Sequence, residues 1–203
     1  VELGQFDLAI KEYEKLSSSH PQFFASELGR AEALRVSGNE KSAIKVLTKL
    51  TQQYPSSANG FRILGNHYRR LEAYDQAIKY INLGLECVDD ESINWCALKV
   101  LEAEVSQYAY NEMKPKIYHS IYERFESNPN HFFVKALIWL GNARYIDEKH
   151  TENNVWYLEA IECAGEDNNL LAQAYIGLGN ARYTYSKHSR NEWYLKAIGC
   201  AGD

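Results

Sequence analysis

Apolar residues recur along this chain at steps of three and four, the spacing that places them on one face of an α-helix. Phe61, Leu64 and Tyr68 form one such set, and Ala77 and Ile81 begin the next. Neither helix of such a pair can bury its apolar face alone, so neighbouring pairs must pack against one another. The pattern therefore predicts a mostly helical protein made of stacked helix pairs.

The helix pairs repeat in the first half of the chain with a period of about 34 residues, a length typical of helical repeat proteins. Small residues and prolines keep this step at seven positions: Ala9, Ala43 and Ala77; Pro21 and Pro55; Gly4 and Gly38. In such proteins each unit contacts only its neighbours. We therefore expect one continuous repeat domain that offers a binding surface rather than a reaction site.

The spacing divides this domain into six units, of which the first is a partial repeat. Their bounds are 1–22, 23–56, 57–90, 91–130, 131–167 and 168–203. The stretch from Pro55 to Pro129 is six residues longer than two standard units, so the degenerate fourth unit should have longer helices or a longer turn. Because Val1 lies inside a repeat and is not an initiator methionine, we expect the chain to be a piece of a longer protein.

The last two units repeat with a longer step. The run Leu-Gly-Asn-Ala-Arg-Tyr begins at Leu140 and again at Leu178, four residues beyond the step of the first half. The run Trp-Tyr-Leu begins at Trp156 and again at Trp193, three residues beyond that step. The pattern places the extra residues after the second helix of the unit, at about 165–169.

The third unit resembles a tetratricopeptide repeat almost position for position. Its large and small residues alternate as two closely packed helices require, and they read Phe61-x2-Leu64-Gly65-x2-Tyr68 and then Ala77-x3-Ile81. The resemblance implies an all-α fold, a right-handed α-solenoid of antiparallel helix pairs that forms a superhelix of about eleven helices.

The last two units depart from this pattern. Asn153 and Arg190 stand where the family has the small alanine of the second helix. Tryptophan followed by tyrosine and a small residue, as at Trp156 and Trp193, is similar to Sel1-like relatives. The Leu-Gly-Asn run with its longer step instead resembles the extended repeats of polarity-scaffold proteins, and both resemblances stay open here.

Charge and composition narrow the range of partners. The formal net charge of −5 argues against general nucleic-acid binding, because counterion release from phosphates requires a basic excess. No apolar run approaches the roughly 18 residues of a spanning helix, so we expect no membrane partner. We therefore expect another protein or peptide as the partner.

The four cysteines indicate small core residues rather than ligands. Cys87, Cys163 and Cys200 each follow a small residue of a second helix by three positions. None of the four cysteines, Cys96 included, belongs to a CxxC motif. Free thiols of this kind favour a reducing compartment such as the cytoplasm.

The sequence contains no motif of a catalyst or a cofactor site. It lacks a phosphate-binding glycine loop, a zinc-binding HExxH motif and a nucleophile elbow. The six histidines lie at turns and helix ends without ligand spacing, so we interpret them as surface or turn residues. We therefore expect no enzyme activity, no cofactor and no metal.

In tetratricopeptide proteins the first helices line a concave groove, and the resemblance places nine residues of this chain there. They come from the second, third, fifth and sixth units: Arg35, Asn59, Arg62, Asn66, Arg69, Lys135, Trp139, Asn142 and Asn180. The centre of this groove would carry positively charged side chains, although the whole chain has a formal net charge of −5. The arginines would favour acidic side chains or a terminal carboxylate in the partner.

Asparagine follows Leu-Gly three times, at Asn66, Asn142 and Asn180. An amide both donates and accepts hydrogen bonds, so a row of amides can pair with the backbone of an extended peptide. The alternative is that asparagine serves local helix packing at these positions. The sequence does not decide between the two.

Two further hypotheses concern the partner. Arg62, Asn66 and Lys135 resemble part of the carboxylate clamp of chaperone adaptors, but Ala97 and Trp139 replace an asparagine and an arginine of that clamp. The other hypothesis is that the chain acts through the ends or the convex face of the solenoid. These surfaces would bind a second copy in a homo-oligomer, or other domains of a larger signalling protein of which the chain is the regulatory arm.

Overall fold

The structure, a computed structural model, describes residues 3–16, 20–90, 92–110, 115–142, 153–180 and 190–201. Eleven helices and no strand occur in these ranges, which confirms the predicted all-α fold and its number of helices. The helices are α1 Leu3–Glu14, α2 Phe23–Val36, α3 Glu40–Gln53, α4 Ala58–Arg70, α5 Tyr74–Leu85, α6 Ile93–Tyr110, α7 Pro115–Phe125, α8 His131–Asn142, α9 Asn153–Cys163, α10 Asn168–Asn180 and α11 Arg190–Ala201.

The chain forms two compact units, each made of several of the six sequence repeats. The first compact unit is residues 1–89, and the second compact unit is residues 90–203. In the first unit, each helix from α1 to α5 packs against the next. In the second unit, α6 to α11 pack in the same sequential way, and α8 also contacts both α6 and α10. The first helices of successive repeats therefore lie side by side in the second unit, so their exposed faces lie next to one another.

Side-chain caps define where several helices begin. The side chain of Asn39 accepts a hydrogen bond from the backbone N–H of Ser42, and the hydroxyl of Ser57 accepts one from Gly60. These bonds satisfy amides that have no partner inside the helix. At the end of α2 the backbone of Gly38 has φ +85°, a left-handed conformation that glycine adopts without strain and that ends the helix before α3.

The core of the first unit lies where the repeat period predicts small residues. Ala43 and Ala77 are fully buried, and Ala43 packs in one cluster with Ala31, Leu47 and Leu64. Small residues let the helix axes approach, and the leucines fill the space between them. The small residues that recur at the 34-residue step of the sequence therefore mark the positions at which helices pack closely.

The fourth sequence unit contains the longest helix of the described residues. Helix α6 has 18 residues, against 12 to 14 in α2 to α5. Helix α7 begins at Pro115, where the missing N–H of proline costs no hydrogen bond. The expanded spacing of this unit is therefore accompanied by a longer first helix.

Four extra residues lie in helix α10 rather than in the connection before it. The connection between α9 and α10, residues 164–167, is as short as the connection 54–57 between α3 and α4. Gly65 is the eighth residue of α4, whereas Gly179 is the twelfth residue of α10. The extra residues thus come after the second helix α9, as the sequence predicts, and they form about one additional turn at the start of α10 before its Leu-Gly pair. The side chains of Asn153 and Arg190 lie outside the described part of the structure.

One histidine contradicts the expectation that all six lie on the surface. His67 of α4 is only 2% exposed, and its Nδ1 lies 2.6 Å from Oε1 of Glu40 at the start of α3. A buried imidazole needs a hydrogen-bond partner, and the carboxylate supplies it. The pair thus links the second helix of one repeat to the first helix of the next.

The cysteines are free, as the sequence indicates, but they differ in burial. Cys96 is fully buried, and this burial raises the pKa of its thiol to about 12. The three cysteines at equivalent repeat positions, Cys87, Cys163 and Cys200, are only half-buried. The thiol of Cys87 donates to the carbonyl of Leu83 at 3.1 Å, so these positions lie at the edge of the core.

Candidate partner-binding surface

Four predicted groove residues form one stripe along α4. Asn59, Arg62, Asn66 and Arg69 follow each other at steps of three, four and three, which places them on the same face of the helix, and all four are half-buried. Nη2 of Arg62 donates to Oδ1 of Asn59 at 2.9 Å. Nε and Nη2 of Arg69 donate to Oδ1 of Asn66 at 3.1 and 2.9 Å.

Helix α2 carries the fifth predicted residue of the first unit, Arg35. Nε of Arg35 donates to a carboxylate oxygen of Glu32 at 2.8 Å. This bond is the largest cause that lowers the pKa of Glu32, and the positive charge of Arg70 on α4 lowers it further. Glu32 therefore lies within electrostatic reach of α4, and the two helices present neighbouring charges.

Arginine is the dominant charged residue of this face. Helix α4 carries three arginines and no acidic residue, whereas Arg35 of α2 is paired with the carboxylate of Glu32. Loss of water lowers the pKa of Arg62, because burial disfavours its charged form. A guanidinium held partly out of water is favourably placed to bind a carboxylate, since the ion pair is screened less there.

In the second unit, the side chains of two predicted residues lie near aromatic rings. The ring of Trp139 stacks on the buried ring of Tyr118 of α7, with 6.1 Å between their centroids and 11° between their planes. Nζ of Lys135 lies 6.0 Å from the ring centroid of Phe132. The side chains of Lys135 and Trp139 are half-buried, so part of each packs within the unit.

Asn142 and Asn180 each bond to a tyrosine of the following helix. Oδ1 of Asn142 accepts from the hydroxyl of Tyr157 at 2.7 Å, and Oδ1 of Asn180 accepts from the hydroxyl of Tyr194 at 2.7 Å. Both asparagines are exposed. The recurring Leu-Gly-Asn and Trp-Tyr motifs are therefore two halves of one contact between the first and second helices of a repeat.

Sequence reasoning missed two exposed residues beside Asn180. Gln173 and Ile176 lie seven and four positions before it on α10, on the same face of the helix, and Ile176 is 44% exposed. Nε2 of Gln173 donates to Oδ1 of Asn169, which is one further turn back. Counting back from Asn180 in steps of four and three would have found both residues.

The predicted groove residues are thus divided between the two compact units. The first unit holds those of α2 and α4: Arg35, Asn59, Arg62, Asn66 and Arg69. The second unit holds those of α8 and α10: Lys135, Trp139, Asn142 and Asn180. Within each unit the residues lie on first helices, and a single groove that runs through both units stays a prediction.

The described residues offer neither a metal site nor a membrane span. No group of three or more histidine, cysteine, aspartate or glutamate side chains among them could hold a metal ion. None of the described helices combines the length and apolar character needed to cross a membrane.

Comparisons with known proteins agree with this architecture. Residues 1–58 match the tetratricopeptide repeat family. The structure of YrrB, a TPR protein with an unusual peptide-binding site, is 17% identical with a TM-score of 0.51, and the alignment covers 100% of this chain and 95% of YrrB. A putative kinesin light chain from Podospora anserina with nearly identical TPR-like repeats is 16% identical with a TM-score of 0.51, over 89% and 90% of the two chains.

No curated protein matches this chain significantly. At 16% and 17% identity, the likeness to the two solved structures concerns the fold alone. The chain therefore has the all-α helical repeat fold of tetratricopeptide proteins, and its first 58 residues match the sequence pattern of that family.

Proposed function

We propose that this chain is a protein-interaction scaffold that binds a partner peptide or protein segment along the exposed face of its first helices. The observation that carries this proposal is the stripe of amides and guanidinium groups on α4. Asn59, Arg62, Asn66 and Arg69 occupy one helix face at half-burial, where side chains can contact a ligand while their positions stay restrained. The proposed activity is binding, without catalysis.

The charge of this face supports a partner with acidic side chains or a terminal carboxylate. Helix α4 is purely basic in its charged residues, although the whole chain carries a formal charge of −5. Guanidinium groups bind carboxylates through paired hydrogen bonds, and such bonds weaken as salt screens the charges. Affinity for an acidic segment should therefore fall as the salt concentration rises.

The solved structures with this fold support the same class of function. YrrB is a TPR protein with an unusual peptide-binding site. In the last two repeats, the Trp-Tyr motif at Trp156 favours a relation to Sel1-like repeats, and the Leu-Gly-Asn motif at Leu140 favours a relation to the extended repeats of polarity-scaffold proteins. Free cysteines support a reducing compartment such as the cytoplasm.

The test begins with a random peptide library displayed on phage and selected on the whole chain. A selected peptide is then titrated against the wild type and against Arg62→Ala/Arg69→Ala, with fluorescence anisotropy as the readout. We expect a loss of affinity of about tenfold or more, since hydrogen bonds to charged groups each contribute about 1.5–3 kcal/mol.

The matched control for this test removes two positive charges from a second helix. Lys45 and Lys49 are a full turn apart on α3, so Lys45→Ala/Lys49→Ala changes the net charge equally without touching α4. Circular dichroism and denaturant unfolding check that each variant is folded. Equal affinity of both double variants, or a library that yields no binder, would overturn the proposed function.

A second candidate function is self-association. Leu195 and Ile198 of α11 are 66% and 67% exposed, and two large apolar residues at a step of three form an apolar strip on that helix. The expected result is a sedimentation coefficient that rises with concentration and falls back in Leu195→Gln/Ile198→Gln. A monomer at all concentrations would exclude this function.

A further inference from the structure

A tryptophan of α9 lies beside two aromatic rings of α7. The ring of Trp156 is nearly perpendicular to the ring of Tyr122, with 5.2 Å between their centroids and 82° between their planes. The ring of His119 lies 5.7 Å from the same tryptophan, at 74°. Trp156 and Tyr122 are half-buried and His119 is exposed, so part of this aromatic cluster is accessible to a partner.

Two carboxylates border these rings. The hydroxyl of Tyr122 donates to Oε1 of Glu126 at 3.0 Å, and the carboxylate of Glu159 on α9 interacts with the same hydroxyl. Glu159 follows Trp156 by three positions, which places both on one side of the helix. Carboxylates attract cations by their charge, and ring faces attract them through the ring quadrupole. Both kinds of group therefore favour a cation at this place.

The negative charges of this surface are crowded. Burial raises the pKa of Glu159, and the neighbouring charges of Glu126 and Glu162 raise it further. A raised pKa means that its surroundings disfavour the charged form of this carboxyl group. A positive charge bound beside Glu159 would relieve the repulsion, whereas a bound anion would increase it.

The last repeat shows which group fits beside such a tryptophan. Trp193 and Lys196 of α11 stand 37 positions after Trp156 and Glu159, at the equivalent places of the next repeat. Nζ of Lys196 lies 4.6 Å from the ring centroid of Trp193, within the range of a cation–π interaction. Trp193 is only 5% exposed, whereas Trp156 is half-buried. Helix α9 thus has the same ring, with a carboxylate at the position of the lysine.

We propose that Trp156, Tyr122, Glu126 and Glu159 form a second binding surface, which takes a lysine side chain from a basic segment of a partner protein. The ammonium group would lie over the ring of Trp156, as that of Lys196 does in the last repeat, and would pair with the two carboxylates. None of the four residues lies on a first helix, so this inference does not depend on the proposed function. The two surfaces would select partner segments of opposite charge.

The first test follows the indole N–H signals of the tryptophans in a nitrogen-15-labelled sample of the whole chain. The probe is a short glycine peptide with three lysines. A comparison peptide carries acetyl-lysine, which keeps the side-chain stem and lacks the charge. We expect the lysine peptide to shift the Trp156 signal until it saturates. The signals of Trp95 and Trp193 should shift less, because Arg124 and Lys196 already lie over those rings.

Three outcomes of this titration would overturn the inference. A Trp156 signal that does not move, or moves without saturation, would exclude a defined site. Shifts of equal size at Trp95, Trp156 and Trp193 would indicate general attraction of a basic peptide to an acidic chain. An equal response to the acetylated peptide would show that the surface recognises the side-chain stem and not its charge.

The second test gives α9 the residue that α11 has at this place. In Glu159→Lys the new lysine should occupy the ring of Trp156, so affinity for the lysine peptide should fall about tenfold or more. The matched control is Glu86→Lys, which changes the net charge equally at an exposed position of the first compact unit. It should lower the affinity by no more than about twofold. Equal losses in the two variants would overturn the inference.

Two further variants separate the ring from the carboxylate. Trp156→Leu and Glu159→Gln should each weaken binding about threefold to tenfold, and circular dichroism with denaturant unfolding checks that both are folded. Unchanged affinity in both would contradict the assignment. Arg62→Ala/Arg69→Ala should bind the lysine peptide as the wild type does, so the failure of either proposal leaves the other testable.

Discussion

Gly177 of α10 has no space for a side chain. An added Cβ would overlap the ring of Tyr157, and that ring is itself confined by Gly141. We therefore expect Gly177→Ala to destabilise the protein by about 1–3 kcal/mol, the usual cost of overpacking, despite the better helix propensity of alanine. Denaturant unfolding followed by circular dichroism measures this change.

Gly199 of α11 provides the matched control. It also lies inside a helix, but apart from its chain neighbours and its own helix backbone, no atom of the described residues lies within 4 Å of the position of its Cβ. Gly199→Ala should therefore stabilise the protein by about 0.5–1 kcal/mol, since it removes the entropic cost of a helical glycine. Equal effects of the two substitutions would show that the ring of Tyr157 does not set the cost at Gly177.

The roles of the asparagines show what the sequence can predict about single residues. The resemblance to tetratricopeptide repeats implies that Asn142 and Asn180 lie on the exposed face of a first helix, and both side chains are exposed in the structure. Their bonds to Tyr157 and Tyr194 join residues 15 and 14 positions apart on different helices. The spacing of residues within one helix therefore cannot predict these bonds. Local packing and ligand binding are therefore indistinguishable by sequence, and in this geometry one amide can serve both.

The start of α10 depends on the capping side chain of Asp167. Its Oδ1 accepts the backbone N–H of Leu170 at 3.1 Å, and its other carboxylate oxygen lies 3.0 Å from Nδ1 of His131. Asp167→Ala should lower the free energy of unfolding by about 1 kcal/mol, because it removes the cap. Asp167→Asn should cost less in the same denaturant titration, since asparagine caps a helix equally well. Equal losses in the two variants would mean that the charge, and not the cap, stabilises this helix end.

The charge of Asp167 adds a dependence on pH. The backbone N–H of Leu170 is the largest cause that lowers the pKa of this carboxyl, and the bond to His131 lowers it further. A lowered pKa means that the charged form stabilises the folded state above the unfolded pKa of about 3.9, and that this contribution is lost as the pH falls through the folded pKa. The stability difference between wild type and Asp167→Asn should therefore shrink below about pH 4, as urea titrations at several pH values would measure. A difference that stays constant across this range would contradict the prediction.

At the scale of helices, the periodicity predicts the elements better than their lengths. Repeating alanines such as Ala43 and Ala77 mark close helix contacts, so they indicate where helices pack. Extra residues are harder to place, because a helix can absorb four of them as one more turn without any change of face. Gly179 lies four positions deeper in its helix than Gly65 for this reason, and only the structure distinguishes this from a longer loop.

For the molecule as a whole, the division into two compact units predicts independent energetic effects. Leu64 of α4 and Leu137 of α8 are both fully buried, one in residues 1–89 and the other in residues 90–203. Each substitution to alanine should cost about 2–5 kcal/mol, the lost transfer energy plus a cavity. The double variant should lose the sum of the two costs within about 0.5 kcal/mol, because residues without shared partners do not couple.

Two measurements decide whether this additivity holds. Equilibrium unfolding of the wild type, both single variants and the double variant gives the interaction energy directly. Hydrogen exchange then locates the effect: Leu64→Ala should speed exchange in α2 to α5 and leave α8 to α10 unchanged, since each repeat is stabilised by its neighbours. An interaction energy above about 1 kcal/mol would contradict independent effects, because it would show that the two leucine sites are energetically coupled. Faster exchange in α8 to α10 of Leu64→Ala would show that the two units open together, and a partner segment bound to one unit would in that case also stabilise the other.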